Sequence, residues 1–217
     1  MRLPREDVLF FTAPHPHEVS VNRTRVTRVL GTSVRYLTRA EYTARRRLDR
    51  IDRFPRTRVP GFEEAYAVRS GVQVGVRESR RVVGDHQLTG HDILAARSFP
   101  DVVAHGAYPV DIHNPRGTGR VLRRVPEGGF YDIPLRCLLP RGDRAAAGGG
   151  ALRLRDARAH SSYRVMPVAM ATGQAAGVCA ALTVRHGHGS RGLPYRLVQR
   201  ELLRQGARLR LGQAEGT

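Results

Sequence analysis

Hydrophobic residues along this chain fall into short runs broken by turn-forming and charged stretches. Residues 8–11 are apolar, the Ala13-Pro14-His15-Pro16-His17 segment interrupts them, and residues 19–29 leave room for further strand. Leu37-Thr38-Arg39-Ala40-Glu41 then predicts a helix start. Thr38 caps the N-terminus and Glu41, three residues on, completes a capping box. Ala44, Leu48 and Ile51 continue the apolar stripe, and Pro55 and Pro60 end it. Partial alternation at Val68, Val72, Val74 and Val76 predicts a strand over residues 66–76. Thr89 and Asp92 cap a short helix through Ala96. Residues 110–129, rich in Gly, Pro and Arg, read as loop or hairpin, and residues 133–139 as a short strand. A last amphipathic helix spans residues 194–205, with Leu197, Val198, Leu202 and Leu203 inward and Gly206 as its stop.

Residues 165–184 carry no charge at all. Their length invites a membrane-spanning reading. Pro167, Thr172, Gly173, Gln174 and Gly177 interrupt the run, however, and its bulk is alanine, so a buried, closely packed helix fits better. Ser161-Ser162-Tyr163-Arg164-Val165-Met166 reads as a polar turn feeding Pro167, and proline suits a first helical turn because its missing N–H is not needed there. Such an N-terminus offers free N–H groups and the positive end of a dipole to an anionic or electron-rich ligand.

Composition narrows the chemistry. The chain has 217 residues, 41% of them hydrophobic, enough for a sizeable core. Its two cysteines, Cys137 and Cys179, form no CxxC pair, which fits a reducing cytosol and leaves no disulfide framework or structural zinc site. No signal-peptide pattern is seen at residues 1–11, and a cytoplasmic location is expected. The net charge of +18 comes entirely from arginine, because all 37 Lys+Arg positions are Arg. Without lysine there is no GxxxxGK phosphate loop and no Schiff-base chemistry. The arginines read as scattered, a codon-bias signature, which ranks nucleic-acid binding last among the functions considered. The pairs His15/His17 and His186/His188 lack Cys or acidic companions, so no metal site is expected. No GxSxG elbow supports a serine hydrolase.

The segment from Ser161 through Gly177 (SSYRVMPVAMATGQAAG) resembles the C-terminal flavin-contacting segment of the FAD-dependent oxidoreductase family, whose members are similar in plan to fumarate reductase and glutathione reductase-type flavoproteins. Upstream, Gly75-Val76-Arg77-Glu78-Ser79-Arg80-Arg81-Val82-Val83-Gly84 with Leu88-Thr89, and Tyr131-Asp132-Ile133-Pro134-Leu135-Arg136-Cys137-Leu138-Leu139-Pro140, are similar to that family's substrate-domain segments, in the family's order. The resemblance implies an α+β chain, part of an α/β FAD/NAD(P)-binding flavoprotein. It implies a substrate- or cap-domain portion at residues 1–140 and the C-terminal part of an FAD-binding domain at 141–217. It further implies FAD as cofactor and hydride transfer between an organic small-molecule substrate and flavin. Ser162, Tyr163, Arg164, Val165, Met166, Gly173, Gln174, Ala175, Ala176 and Gly177 are the implied cofactor-side positions. Arg77, Arg80 and Arg136 are candidates for orienting a carboxylate. His160 reads either as an acid or base beside the flavin or as an ordinary loop histidine.

Two departures qualify this picture. Family members open with a strand and a GxGxxG turn for the FAD pyrophosphate, whereas this chain is expected to have no GxGxxG and no room for that half upstream of the matched segments. The family's hydrophobic strand ending in an Ala-Gly-Arg step is replaced by Ala145-Ala146-Ala147-Gly148-Gly149-Gly150. A truncated chain is therefore expected, from an internal start, a split gene or a decaying one. Two rivals to the enzyme stay open: a catalytically inactive remnant or a subunit needing a second polypeptide with the dinucleotide-binding half, and, last, a basic nucleic-acid-binding protein.

Overall fold

A computed structural model describes residues 9–22, 24–77, 79, 83–113, 120–126, 129–142 and 157–210. They fall into two compact units, one built by residues up to 79 and one by the described residues from 83 onward. In the first unit β1 (Leu9–Thr12) and β2 (Val19–Asn22) form an antiparallel hairpin with Phe10 opposite Val21. The long helix α1 (Val34–Arg58) follows.

Helix α1 departs from the sequence reading at both ends. It begins at Val34, with Ser33 at the cap position and no side-chain capping bond. Thr38 is already inside the helix, where its hydroxyl donates 3.0 Å to the Val34 carbonyl. Glu41 closes no capping box, because its carboxylate accepts the Val74 backbone N–H instead. Pro55 does not end the helix either. It lies buried in the last turn, and the Val59 N–H reaches its carbonyl at 2.9 Å. A proline so near the terminus removes one bond but leaves few turns beyond it to disrupt. Residues 66–76 form no strand. Arg45 pins them instead, donating to the Ser70 hydroxyl and to the Gly71 and Val72 carbonyls. With no partner strand to hydrogen-bond, valine alternation does not make a ladder, and Val72 is 95% exposed.

The second unit runs α2 (Gly90–Leu94), β3 (Val102–Gly106), β4 (Val110–His113), β5 (Arg120–Arg123), β6 (Tyr131–Pro134), α3 (Ala157–Tyr163), α4 (Met166–His186) and α5 (Tyr195–Arg204). β3 pairs antiparallel with β6, and β4 with β5. The strand expected at residues 133–139 therefore shifts to 131–134 and passes into a 3-10 turn at Leu135–Cys137. Strand β3 separates two cores, as successive strand side chains point to opposite faces. Ala104 joins Leu88, Ile93, Phe99, Tyr131, Ile133 and Val168 on one side. Val103 joins Leu138, Ala175, Cys179, Val198 and Leu202 on the other. In α5 Val198 and Leu202 are buried as the pattern requires, but Leu203 is 42% exposed. Helix α4 is long and apolar enough to cross a membrane by length and composition, with a mean hydropathy of 1.4. Its Ala175 and Cys179 side packs in the second core instead. Short antiparallel sheets with helices packed on them make the architecture mixed α+β.

Candidate functional site

The Ser161-Ser162-Tyr163 segment is not a turn but the end of helix α3. Ser161 Oγ donates 2.7 Å to the Arg158 carbonyl and accepts the Asp111 N–H at 3.1 Å. Ser162 is fully buried, with its hydroxyl 2.8 Å from Tyr131 Oη and donating to the Tyr108 carbonyl. Burial pushes the Tyr131 phenol up to about 12, against the opposing Ser162 bond, so it is a neutral structural hydroxyl. Tyr163 is buried in the first core and meets the His160 ring edge-on at 5.5 Å. His160 is accordingly a buried helix residue, 3% exposed, rather than a loop histidine.

Arg164 and Val165 lead from α3 into α4. The Arg164 guanidinium donates 3.2 Å to the Asp111 carbonyl. Val165 occupies the cap position of α4 in extended conformation with no side-chain capping bond, and Pro167 sits in the first turn. The Val165 side chain therefore leaves the first turn of this 21-residue helix without a side-chain cap, and Pro167 brings no N–H to it. From there one helix face is open. Met166 is 80% and Met170 74% exposed. A Cβ added at Gly173 or Gly177 meets nothing within 4 Å. Gln174 is exposed and bonds Gln205 at 3.1 Å. The opposite face carries Thr172, Ala175, Ala176 and Cys179 into the core. Of the ten positions singled out from sequence, Ser162, Tyr163, Ala175 and Ala176 thus turn inward, Arg164 and Val165 are half-buried, and Met166, Gly173, Gln174 and Gly177 are accessible. An uncharged face with gaps at Gly173 and Gly177, starting at a helix N-terminus without a side-chain cap, fits the approach of a flat, electron-rich ring.

The arginine candidates separate. Arg77 is exposed in the first unit, and Arg80 lies outside the described residues. Arg136 lies 3.5 Å from Asp101 Oδ1 and 5.4 Å over the Phe99 ring. Arg97 leans on the same ring at 5.2 Å and pairs with buried Asp92 at 2.9 Å. His86 also meets Phe99, edge-on at 5.2 Å, and its buried Nε2 has no hydrogen-bond partner among the described residues. Burial first, and then the Arg136 charge, hold the His86 pKa below its ordinary value. Burial alone works against Asp92 ionising, but the Thr89 hydrogen bonds and Arg97 outweigh it and lower its pKa.

A histidine lying against a carboxylate, His105 beside Asp132, went unnoticed in the sequence. His105 Nδ1 lies 2.9 Å from Asp132 Oδ1, while its Nε2 accepts the Arg210 backbone N–H at 3.0 Å. Asp132 Oδ2 accepts the Phe99 N–H at 2.9 Å. These residues are far apart in sequence, and only the β3–β6 register brings His105 opposite Asp132.

Contrary to the expectation that the chain has no GxGxxG, Gly187-His188-Gly189-Ser190-Arg191-Gly192 satisfies it as a string. It follows a helix rather than a strand, and Gly187 is the left-handed C-cap of α4 at φ +66°. Arg191 forks onto Asp85 at 2.7 and 3.0 Å. A helix end so tied is no dinucleotide fingerprint. The Ala145–Gly150 replacement noted from sequence lies outside the described residues. Among the described residues no group of three His, Cys, Asp or Glu side chains is placed to hold a metal.

The model of one family, FAD dependent oxidoreductase, matches residues 1–202. No curated protein and no solved structure matches the chain.

Proposed function

Because the chain belongs to the FAD-dependent oxidoreductase family, whose cofactor is FAD, we propose that it presents the uncapped N-terminus and open face of α4 to the flavin of a hydride-transfer enzyme. FAD, when bound, supplies the ring that accepts or donates hydride between an organic substrate and the enzyme. The chain's own part is electrostatic and geometric. The first turn of α4, through the Met166 and Val168 N–H groups and the positive dipole end, would stabilise negative charge on a bound flavin, an effect typically worth about 0.3–1 kcal/mol at an exposed helix end and more when water is excluded. Gly173 and Gly177 keep the face low so that a flat ligand can approach. Residues 1–140 serve as the substrate- or cap-domain portion and 141–217 as the C-terminal part of the FAD-binding domain, in the cytosol. Arg136, held by Asp101 and Phe99, is the best-placed of the candidate arginines for orienting a substrate carboxylate.

One observation carries the reading: the open face of α4, which begins at Met166 and Met170, has no side chain at Gly173 or Gly177, where an added Cβ meets nothing within 4 Å. Titrating the purified protein with FAD, and following flavin absorbance and fluorescence, tests it. Gly173→Leu is expected to weaken binding at least tenfold while leaving the circular dichroism unchanged. Equal affinity in wild type and variant sinks the proposal.

A second reading, a subunit that works with another polypeptide carrying the dinucleotide-binding half, draws on the exposed apolar side of α4 at Met166, Met170 and Val184. Flavin retained only when such a polypeptide is co-expressed favours it. A chain that takes up no flavin under either condition favours an inactive remnant.

A further inference from the structure

Helix α1 gathers what the sequence seems to scatter among its arginines into one line. It carries nine arginines against three acids. Arg35, Arg39, Tyr42, Arg46, Arg50 and Arg53 recur every three or four residues, so they share one face. That face lies opposite the buried Ala40, Ile51 and Pro55. From Arg35 to Arg53 it extends roughly 27 Å at the rise of an α-helix. Two of the three acids are engaged off the stripe, Glu41 3.6 Å from Arg45 and Asp52 3.6 Å from Arg56, while Asp49 lies 3.3 Å from Arg53 at the stripe's end. Arg35, Arg39, Arg46 and Arg50 have no ion pair among the described residues. Arg46 lies 5.7 Å over the Tyr42 ring, and Tyr42 is 66% exposed. A shallow groove of about 480 Å³ is lined by Tyr42, Thr43, Arg46, Arg47, Asp49 and Arg50.

We infer that this stripe is a docking surface for the phosphodiester backbone of a single-stranded nucleic acid, with a base stacking on Tyr42. Evenly repeated guanidiniums match an evenly repeated anion, and each can fork onto phosphate oxygens. An aromatic ring set among them is the stacking element of single-strand binders. An anionic membrane fits less well, because a surface-bound helix needs an apolar face toward lipid, and the apolar face of α1 is turned inward. An acidic protein fits less well too, because protein interfaces centre on a desolvated apolar patch, and the stripe has only Tyr42. The inference is independent of the flavin proposal and concerns the other compact unit.

The test uses the full chain and a dye-labelled oligothymidylate, with binding followed by fluorescence anisotropy across a salt series. Combined Arg35→Gln, Arg39→Gln, Arg46→Gln and Arg50→Gln should weaken binding at least tenfold at low salt. It should also flatten the log–log salt slope by about 3, since each neutralised phosphate of a single strand contributes about 0.7. A control with the same charge change, Arg185→Gln, Arg196→Gln, Arg200→Gln and Arg208→Gln, should stay within about twofold of wild type. Should the stripe variant not fold, Tyr42→Ala still decides: a loss of about fivefold or more is expected for the oligonucleotide, and none for inorganic polyphosphate. Wild-type affinity in the stripe variant, an equal loss in the control, no effect of Tyr42→Ala, or polyglutamate binding as tightly as the oligonucleotide each overturns the inference.

Discussion

Gly106 and Tyr131 show how a single position constrains the second unit. A Cβ at residue 106 stands 2.4 Å from the Tyr131 ring carbon Cζ and its hydroxyl. That ring is fully buried and anchored to Ser162, so it has nowhere to move. Gly106→Ala is expected to cost about 1–3 kcal/mol by overpacking. Adding Tyr131→Leu should recover part of that loss in a double-mutant cycle followed by denaturant unfolding. His86 sets a pH dependence at the same scale. Its folded pKa lies below the ordinary 6.5, chiefly through burial. The unfolded chain therefore binds the proton more tightly, and this contribution to stability is present above 6.5 and lost as pH falls through the lowered folded value. Thermal midpoints measured between pH 8 and pH 5 should fall less steeply for His86→Gln than for wild type.

At the scale of elements, α2 and α1 make an instructive pair. Each has a Thr followed three residues on by an acid, which predicts a capping box at Thr38 and Glu41 and a capped start at Thr89 and Asp92. In α2 it forms: Thr89 Oγ1 accepts the Asp92 N–H and the Asp92 carboxylate accepts the Thr89 N–H. In α1 the same string lies one turn inside the helix, because the apolar stripe starts earlier and Glu41 finds Val74 instead. Thr89→Ala should therefore destabilise by about 1 kcal/mol in urea unfolding, whereas Thr38→Ala should be neutral or slightly stabilising, alanine being the better helix former. Helix α4 was legible as an element, with its start beside Pro167. Which of its faces is free was not, because small residues occupy both sides and only the packing of β3 and α5 distinguishes Ala175 from Gly173.

At the scale of the whole molecule, many large apolar side chains face outward. Leu9, Phe10 and Phe11 of the first hairpin are 41%, 38% and 51% exposed, and Met166 and Val184 of α4 are 80% and 84%. Patches of this kind drive association unless covered. Concentration-dependent self-association is the expected behaviour in sedimentation velocity, and a clean monomer across the concentration range contradicts it. If FAD occupies α4, saturating flavin should raise the thermal midpoint, since a ligand that binds only the folded state stabilises by mass action, and Gly173→Leu should abolish that rise.

The sequence by itself determined four of the five described α-helices, all but α3, and the family. Periodicity, proline placement and the run from Ser161 to Gly177 are local, and local signals survive without knowledge of what packs where. Strand partners and side-chain destinations are not local. Val68 to Val76 alternates like a strand but has no ladder to join, and Ser162 and Tyr163 read as part of a polar turn but close a buried helix. His105 meets Asp132 only through strand register, and the two arginines on Phe99 meet only through the fold. Tertiary structure decided these because burial and hydrogen-bond pairing are properties of pairs of segments, and no single segment carries them.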